Sequence, residues 1–188
     1  MANRVYRYLP IIAGPNTQRY VQAAVSGGQV GPVDFRIRGE LWDLPYNRPG
    51  TQGEFRIAAQ LQGVDFAYVP PYLQAEGEPT WPGLMDVNGQ LLLDRASLQL
   101  SGLTGSIEGA PAVRLSQAEA GITDFMHKDP MLTVSASAQG PANDVVGYVR
   151  RSPVNGFTGQ VLERATISGP GQVQFKLQLP LHRVDKTA

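Results

Sequence analysis

The two histidines, His127 and His182, are the side chains of this chain best suited to proton transfer or metal binding near neutral pH. Neither has another histidine at metal-ligand spacing. His127 sits in the polar turn Met126-His127-Lys128-Asp129-Pro130, and His182 lies close to the C-terminus. Cysteine is absent, which excludes disulfides, thiol chemistry and cysteine-ligated metals together. The acids Asp43, Asp65, Asp86, Asp94, Asp124 and Asp144 fall mostly at strand ends and helix starts, where carboxylates cap and close turns. No two of them are marked locally as an acid and base pair of the glycosidase kind. Gly102-x-x-Gly105 and Gly169-x-Gly171 lie in hairpins and not before helices, so they read as turns and not as phosphate loops. Arg150-Arg151 closes a helical segment, where cations complement the helix dipole. The expectation is a chain with no catalytic residue, no metal and no cofactor.

Composition narrows the partners. The sixteen basic and sixteen acidic residues cancel and are interspersed, so no field favours nucleic acid or anionic lipid headgroups. The 188 residues suit a single domain, read as one unit over 1–188. Glycine (21) and proline (15) are both abundant but separate alternating runs, which makes them turn residues and not a disordered tract. The apolar stretch at residues 8–13 is brief and broken by Pro10, too short for a signal-peptide core, and no run approaches the roughly 20 apolar residues of a membrane span. The chain as written is expected to carry neither an export signal nor an anchor.

The elements are mostly strands. Residues 55–62 and 173–179 alternate apolar and polar side chains with period two, and so do residues 33–41, with Val33, Phe35, Ile37 and Leu41 on one face and Asp34, Arg36, Arg38 and Glu40 on the other. Residues 53–69 form one bent strand or two, with Gly63 as the bulge where the apolar phase slips. Pro70, Pro71, Pro79 and Pro82 make residues 70–82 an irregular surface loop whose end carries Trp81. Residues 87–93 and 96–102 pair as a hairpin turning at Asp94-Arg95, and strands follow near Ser106 and over 113–124 and 132–138. Two last strands, 159–168 and 172–179, pair across Gly169-Pro170-Gly171. Two short helices complete the set: one capped by Asn16 or Thr17 and stopped by Gly27-Gly28, the other from Gly140-Pro141 to about Arg150. Tyr6, Tyr8, Tyr20, Tyr46, Tyr68, Tyr72, Trp42 and Trp81 are scattered as core or rim residues of such a sheet.

The fold expected is mainly β: an extended, curved antiparallel sheet of about nine strands, a β-groove or half-open sandwich, with two short helices. A continuous apolar face that wide must curl, meet another sheet or hold something apolar.

Several passages resemble the YhdP family of large AsmA-like bacterial envelope proteins. They are Arg7-Tyr8-Leu9-Pro10, the helix from Tyr20 to Gly28, Phe35-x-x-x-Gly39-x-Leu41-x-Asp43-x-Pro45-Tyr46, and Gly53-Glu54-Phe55. Trp81-Pro82-Gly83-Leu84, Gly89-x-Leu91, Gly140-x-x-Asn143-Asp144-x-x-x-Tyr148-x-x-x-Ser152-Pro153 and the terminal Gly169-x-Gly171-x-Val173-x-Phe175-x-Leu177-x-Leu179-Pro180-Leu181 continue the likeness in order. The resemblance implies a repeating β-groove protein, held in the inner membrane by an N-terminal helix and crossing the periplasm, that moves phospholipid with acyl chains in an apolar groove. This chain, lacking the anchor and far shorter, then corresponds to a segment of such a protein.

Two functions from different classes follow. In one, the chain is a non-catalytic segment of a lipid-conducting groove lined by Phe35, Ile37, Phe55, Ile57, Leu61, Leu91, Leu93, Leu98, Leu100, Val134, Phe175 and Leu177. Its partners are phospholipid acyl chains, adjacent groove segments of the parent chain and, through open sheet edges, a second copy; nucleic acid is not among them. In the other, the apolar faces close on each other as a β-sandwich scaffold or interaction module of the envelope.

Overall fold

The computed structural model describes residues 1–9, 14–157 and 167–181. A 3-10 turn at Ala2–Tyr8 and helix α1 (Gly14–Ala24) lead into strands β1 (Gln29–Gly39), β2 (Gly53–Phe66), β3 (Leu84–Asp94), β4 (Ser97–Ile107), β5 (Ala110–Ile122) and β6 (Met131–Pro141). Helix α2 (Ala142–Arg151) and the short α3 (Val154–Phe157) follow, then strand β7 (Pro170–Pro180). The seven strands form one open antiparallel sheet in sequence order, β1 to β7.

The closed sandwich expected as the alternative is therefore overturned: it requires a second sheet, and the described strands all belong to one. The strand expected near Ser106 is the continuation of β4. Most of the strand expected over 159–168 lies outside the described residues. The turn expected at Gly169-Pro170-Gly171 is corrected, because Pro170 and Gly171 are rungs of β7 opposite Pro141 and Gly140 of β6. Backbone pairing reaches one residue further, where the Ala142 N–H donates to the Gly169 carbonyl at 2.9 Å. Ladder hydrogen bonds satisfied in the sheet outweigh the turn chemistry of Gly-Pro-Gly.

Long strands in an open sheet need a device that bends them. Gly63 (φ 58°), Asp86 (φ 54°), Gly102 (φ 59°) and Gln117 (φ 51°) adopt left-handed backbone inside β2, β3, β4 and β5. Pairing register slips beside each of them, between Leu61 and Val64, Met85 and Asn88, Leu100 and Leu103, and Ser116 and Glu119. A further slip lies between Val30 and Val33 of β1. Each bulge adds a residue on one strand and sharpens the local twist, so a line of bulges crosses the sheet from β1 to β5. Gly63 confirms the sequence expectation of a bulge at that position.

The line of bulges divides the apolar face. On one side, Ala2, Val64 and Val87 form a buried cluster with Val25, Val30, Leu61, Leu84 and Leu103 packed around it. Beside it Ile107, Ala110, Val113, Leu115 and Ala138 are buried under Val145 and Tyr148 of α2. The N-terminal segment and α2 thus cap one end of the sheet.

Candidate functional site

On the other side of the bulges no described helix covers the sheet, and the strand register assembles two transverse rows of apolar side chains. Phe35 lies opposite Ile57, Ile57 opposite Leu93, Leu93 opposite Leu98, Leu98 opposite Ile122, Ile122 opposite Leu132 and Leu132 opposite Leu179. The second row runs Val33, Ala59, Leu91, Leu100, Ala120, Val134 and Leu177. Directly opposed residues of antiparallel strands point to the same face, and residues two apart share it. Both rows therefore lie on one face, the face whose far end the helices cap. At roughly 4.8 Å per strand, six strand spacings make each row about 29 Å long.

All of the lining candidates read from the sequence fall on this face, in unequal surroundings. Phe35, Ile57, Leu91, Leu93, Leu98, Leu100, Val134 and Leu177 occupy the two rows. Ile37 and Phe55 oppose each other one rung further out, where Phe55 is 2% exposed and meets the Phe35 ring edge-on at 6.3 Å. Phe175 faces Ala136 on β6. Leu61 packs against the capped cluster instead of the open rows. Sequence reading left out Val33, Ala59, Ala120, Ile122, Leu132 and Leu179, which complete the rows. Ile122, Leu132 and Leu179 each stand two residues from a member of the second row, so period-two counting carried along β5, β6 and β7 locates them.

The opposite face is polar. Gln60 opposes Gln90, Gln90 opposes Ser101, Thr133 opposes Gln178 and Ser137 opposes Gln174. On β1 the Arg36 guanidinium binds Asp34 at 2.8 Å, and this hydrogen bond, before the added charge attraction, holds the Asp34 carboxyl below its ordinary range. Both groups are exposed, so the pair orders the edge and adds little stability.

The capped end is joined by tyrosines. The Tyr20 hydroxyl of α1 donates to the Tyr68 carbonyl at 2.9 Å, and the Tyr68 and Tyr148 hydroxyls lie 3.0 Å apart, linking α1 to α2 through the connection after β2. Burial pushes the Tyr20 hydroxyl up to about 12, with Tyr72 adding to the shift, and burial raises Tyr68 further still, with Tyr148 contributing. Both hydroxyls stay protonated at neutral pH, and Tyr20 serves as a structural donor. Trp81 packs on Tyr68 with ring centroids 6.0 Å apart, and Arg19 stacks over Tyr72 at 4.3 Å.

Among the described residues, chemistry-bearing side chains do not converge. The exposed His127 ring accepts the Asp129 N–H at 3.1 Å through Nδ1, a bond that closes its own turn, and His182 lies outside the described residues. Among the described residues, no three of the metal-binding types stand together. No described helix is long and apolar enough to cross a membrane.

This surface is a double row of apolar side chains on one face of an open sheet. No solved structure matches the chain. The intermembrane phospholipid transporter YhdP of Escherichia coli (strain K12) is 23% identical over 183 residues, which cover 96% of this chain and 13% of that protein. The chain thus spans a small part of the relative's length. A family model described as "YhdP protein" matches residues 1–188. With that match running over the whole sequence, the chain belongs to the YhdP family.

Proposed function

We propose that this chain is a non-catalytic segment of a larger envelope protein that carries phospholipid between membranes, and that the uncovered part of its apolar face shields the acyl chains. The observation that carries the reading is the pair of unbroken apolar rows crossing all seven strands, from Phe35 and Val33 to Leu179 and Leu177. Kinship to a protein named as an intermembrane phospholipid transporter supports it.

The physics needs no catalytic group. Each methylene withdrawn from water contributes about 0.8 kcal/mol, so even part of an acyl chain is held by several kcal/mol without polar recognition. Each leaflet contributes about half of a hydrocarbon core roughly 30 Å thick, so a trough of about 29 Å accommodates an extended chain along its rows. The headgroup stays in water beside the trough. Because the rows show no polar interruption, a chain meets no fixed stopping point and slides across the strands.

In the parent protein the segment works in the periplasm, between an inner-membrane anchor and the outer membrane. Its β1 and β7 edges continue the groove into adjacent segments of that chain. The lining is Phe35, Ile37, Ile57, Leu91, Leu93, Leu98, Leu100, Val134, Phe175 and Leu177, with Phe55 and Leu61 packed beneath its margins.

Native mass spectrometry of the purified chain, with lipid extraction of the same sample, tests the reading. Phospholipid bound at near-stoichiometric level supports it, and a lipid-free protein recovered from lipid-rich membranes contradicts it.

A further inference from the structure

The outer edge of β7 is a straight ladder with a marked beginning and end. Strands β6 and β7 pair without a slip from Met131 opposite Pro180 to Pro141 opposite Pro170. Just beyond each end the rung is hydrogen-bonded: the Ala142 N–H donates to the Gly169 carbonyl at 2.9 Å, and the Leu181 N–H to the Pro130 carbonyl at 3.0 Å. Hydrogen-bonded rungs alternate with the others in an antiparallel pair. Gly171, Val173, Phe175, Leu177 and Leu179 therefore turn their backbone groups to β6, and Pro170, Gln172, Gln174, Lys176, Gln178 and Pro180 turn theirs outward. Both prolines fall on outward positions. The N–H donors offered at the edge are those of Gln172, Gln174, Lys176 and Gln178, bracketed by rings that offer none. Every residue from Gln172 to Leu179 is exposed, and among the described residues no strand pairs with this edge.

The β1 edge differs. The Arg95 N–H donates to the Phe55 carbonyl at 2.8 Å, so Phe55 faces β3 and its neighbours Glu54 and Arg56 face β1. Their partners Arg38 and Arg36 point inward, which leaves Val33, Phe35, Ile37 and Gly39 pointing outward. The outward residues of β1 thus belong to the apolar face, whereas those of β7 belong to the polar one. Opposed residues of antiparallel strands share a face. Laying β1 of one copy antiparallel on β7 of another would turn their apolar faces to opposite sides. Two β1 edges joined with all of these outward groups paired would set Arg36 against Arg36, and like charges directly opposite are destabilising. The slip between Val30 and Val33 also cuts that ladder short.

We propose that β7 is an interface for a second copy of this chain, the two β7 strands pairing antiparallel about Phe175 across a two-fold axis normal to the sheet. In this register Gln174 opposes Lys176 of the partner copy and Gln172 opposes its Gln178, so every donor between the prolines meets a carbonyl. Pro170 opposes Pro180 of the partner copy, where neither has an N–H to lose. Phe175 meets its counterpart in a rung of the closer, non-hydrogen-bonded kind, and Val173 meets Leu177 of the partner copy in another. A register shifted by two residues either way sets a proline against Gln172 or Gln178, and in one direction sets Lys176 against Lys176. The apolar faces of the two copies then lie on the same side. The rung of Leu177 runs on through Val173 of the partner copy to its Ala138 and Leu115, which are buried beneath α2. Each copy's α2 closes the β7 end of the other's rows, and this pairing excludes continuation of the sheet at the same edge. Backbone geometry alone carries the pairing, which stands whether or not lipid occupies the rows.

The test uses the full chain, whose lack of cysteine lets single introduced thiols report the register. Sedimentation velocity is expected to show a dimer in equilibrium with monomer. Gln174→Pro removes an outward donor and no bond to β6, and it is expected to weaken dimerisation by about tenfold with circular dichroism unchanged. Phe175→Cys places its own thiols on Cα atoms about 4.5 Å apart, within disulfide range, so oxidised glutathione is expected to yield a covalent dimer. Val173→Cys is expected to crosslink with Leu177→Cys in a mixture and not with itself. A chain that stays monomeric, a dimer undisturbed by Gln174→Pro, or crosslinking of Phe35→Cys with none of Phe175→Cys overturns the interface. If Gln174→Pro fails to fold, the cysteine pairs decide.

Discussion

Ile57 and Val113 lie on the same face of the same sheet and differ in what lies above them. Val113 is 1% exposed beneath α2, whereas Ile57 is half-buried among its row neighbours Phe35 and Leu93. A carboxylate at Val113 would be sealed away from water without a partner, a loss of about 4 kcal/mol or more. At Ile57 a carboxylate reaches solvent over the open face. Ile57→Asp is therefore expected to cost no more than about 1–2 kcal/mol and to abolish bound phospholipid, while Val113→Asp unfolds the chain. Urea denaturation followed by circular dichroism checks the first part and lipid extraction the second. Unfolding of Ile57→Asp would mean that its side of the sheet is covered in solution.

At the scale of elements, the helical cap makes a pH prediction. In the unfolded chain Tyr20 titrates near the ordinary value of 10.0; burial raises it to about 12 in the fold. A raised value means that the stabilising contribution is whole below pH 10 and is lost as pH climbs toward 12. Tyr68 shifts in the same direction. The urea midpoint should hold steady up to about pH 10 and then fall, with a shallower fall in Tyr20→Phe. Identical pH profiles for the two proteins would show that the hydroxyl is not buried in the cap.

The elements differ in how openly the sequence announces them. Period-two alternation marks β1, β2 and β7, and the Asp94-Arg95 turn between β3 and β4 reads directly. Gly63 is legible as a bulge because glycine inside an alternating run has few other reasons to be there. Asp86 and Gln117 make the same backbone excursion with side chains that carry no such signal. Gly102, read as a hairpin residue, is a bulge within β4. The error at Gly169-Pro170-Gly171 has the same root: local turn chemistry is visible in sequence, whereas the offer of an eleven-residue ladder from β6 is not. Alternation places the candidates on one face of each strand, and the pairing register on one side of the bulges, which no single strand reveals, aligns most of them across the sheet.

At the scale of the whole molecule, the open sheet leaves two edges. Among the described strands β1 and β7 pair on one side only, and each exposes apolar residues, Val33, Phe35 and Ile37 on one and Val173, Phe175, Leu177 and Leu179 on the other. The isolated chain is expected to self-associate through them at moderate concentration, with an apparent mass in light scattering that rises with concentration. A monodisperse monomer would indicate that the edges are protected. Under the proposed function the same edges continue the groove into adjacent segments of a longer chain.

The account stands on one claim, that acyl chains lie against the apolar face and not elsewhere on the sheet. Neighbouring positions of β4 separate the two faces, since Leu98 lies in the apolar row and Gln99 on the polar face opposite Leu92 and Gly121. A photo-crosslinking residue placed at each in turn, activated in the presence of phospholipid, reads the claim directly. Lipid adducts at position 98 with few at position 99 are the predicted result; equal labelling at both, or labelling confined to position 99, would contradict the trough.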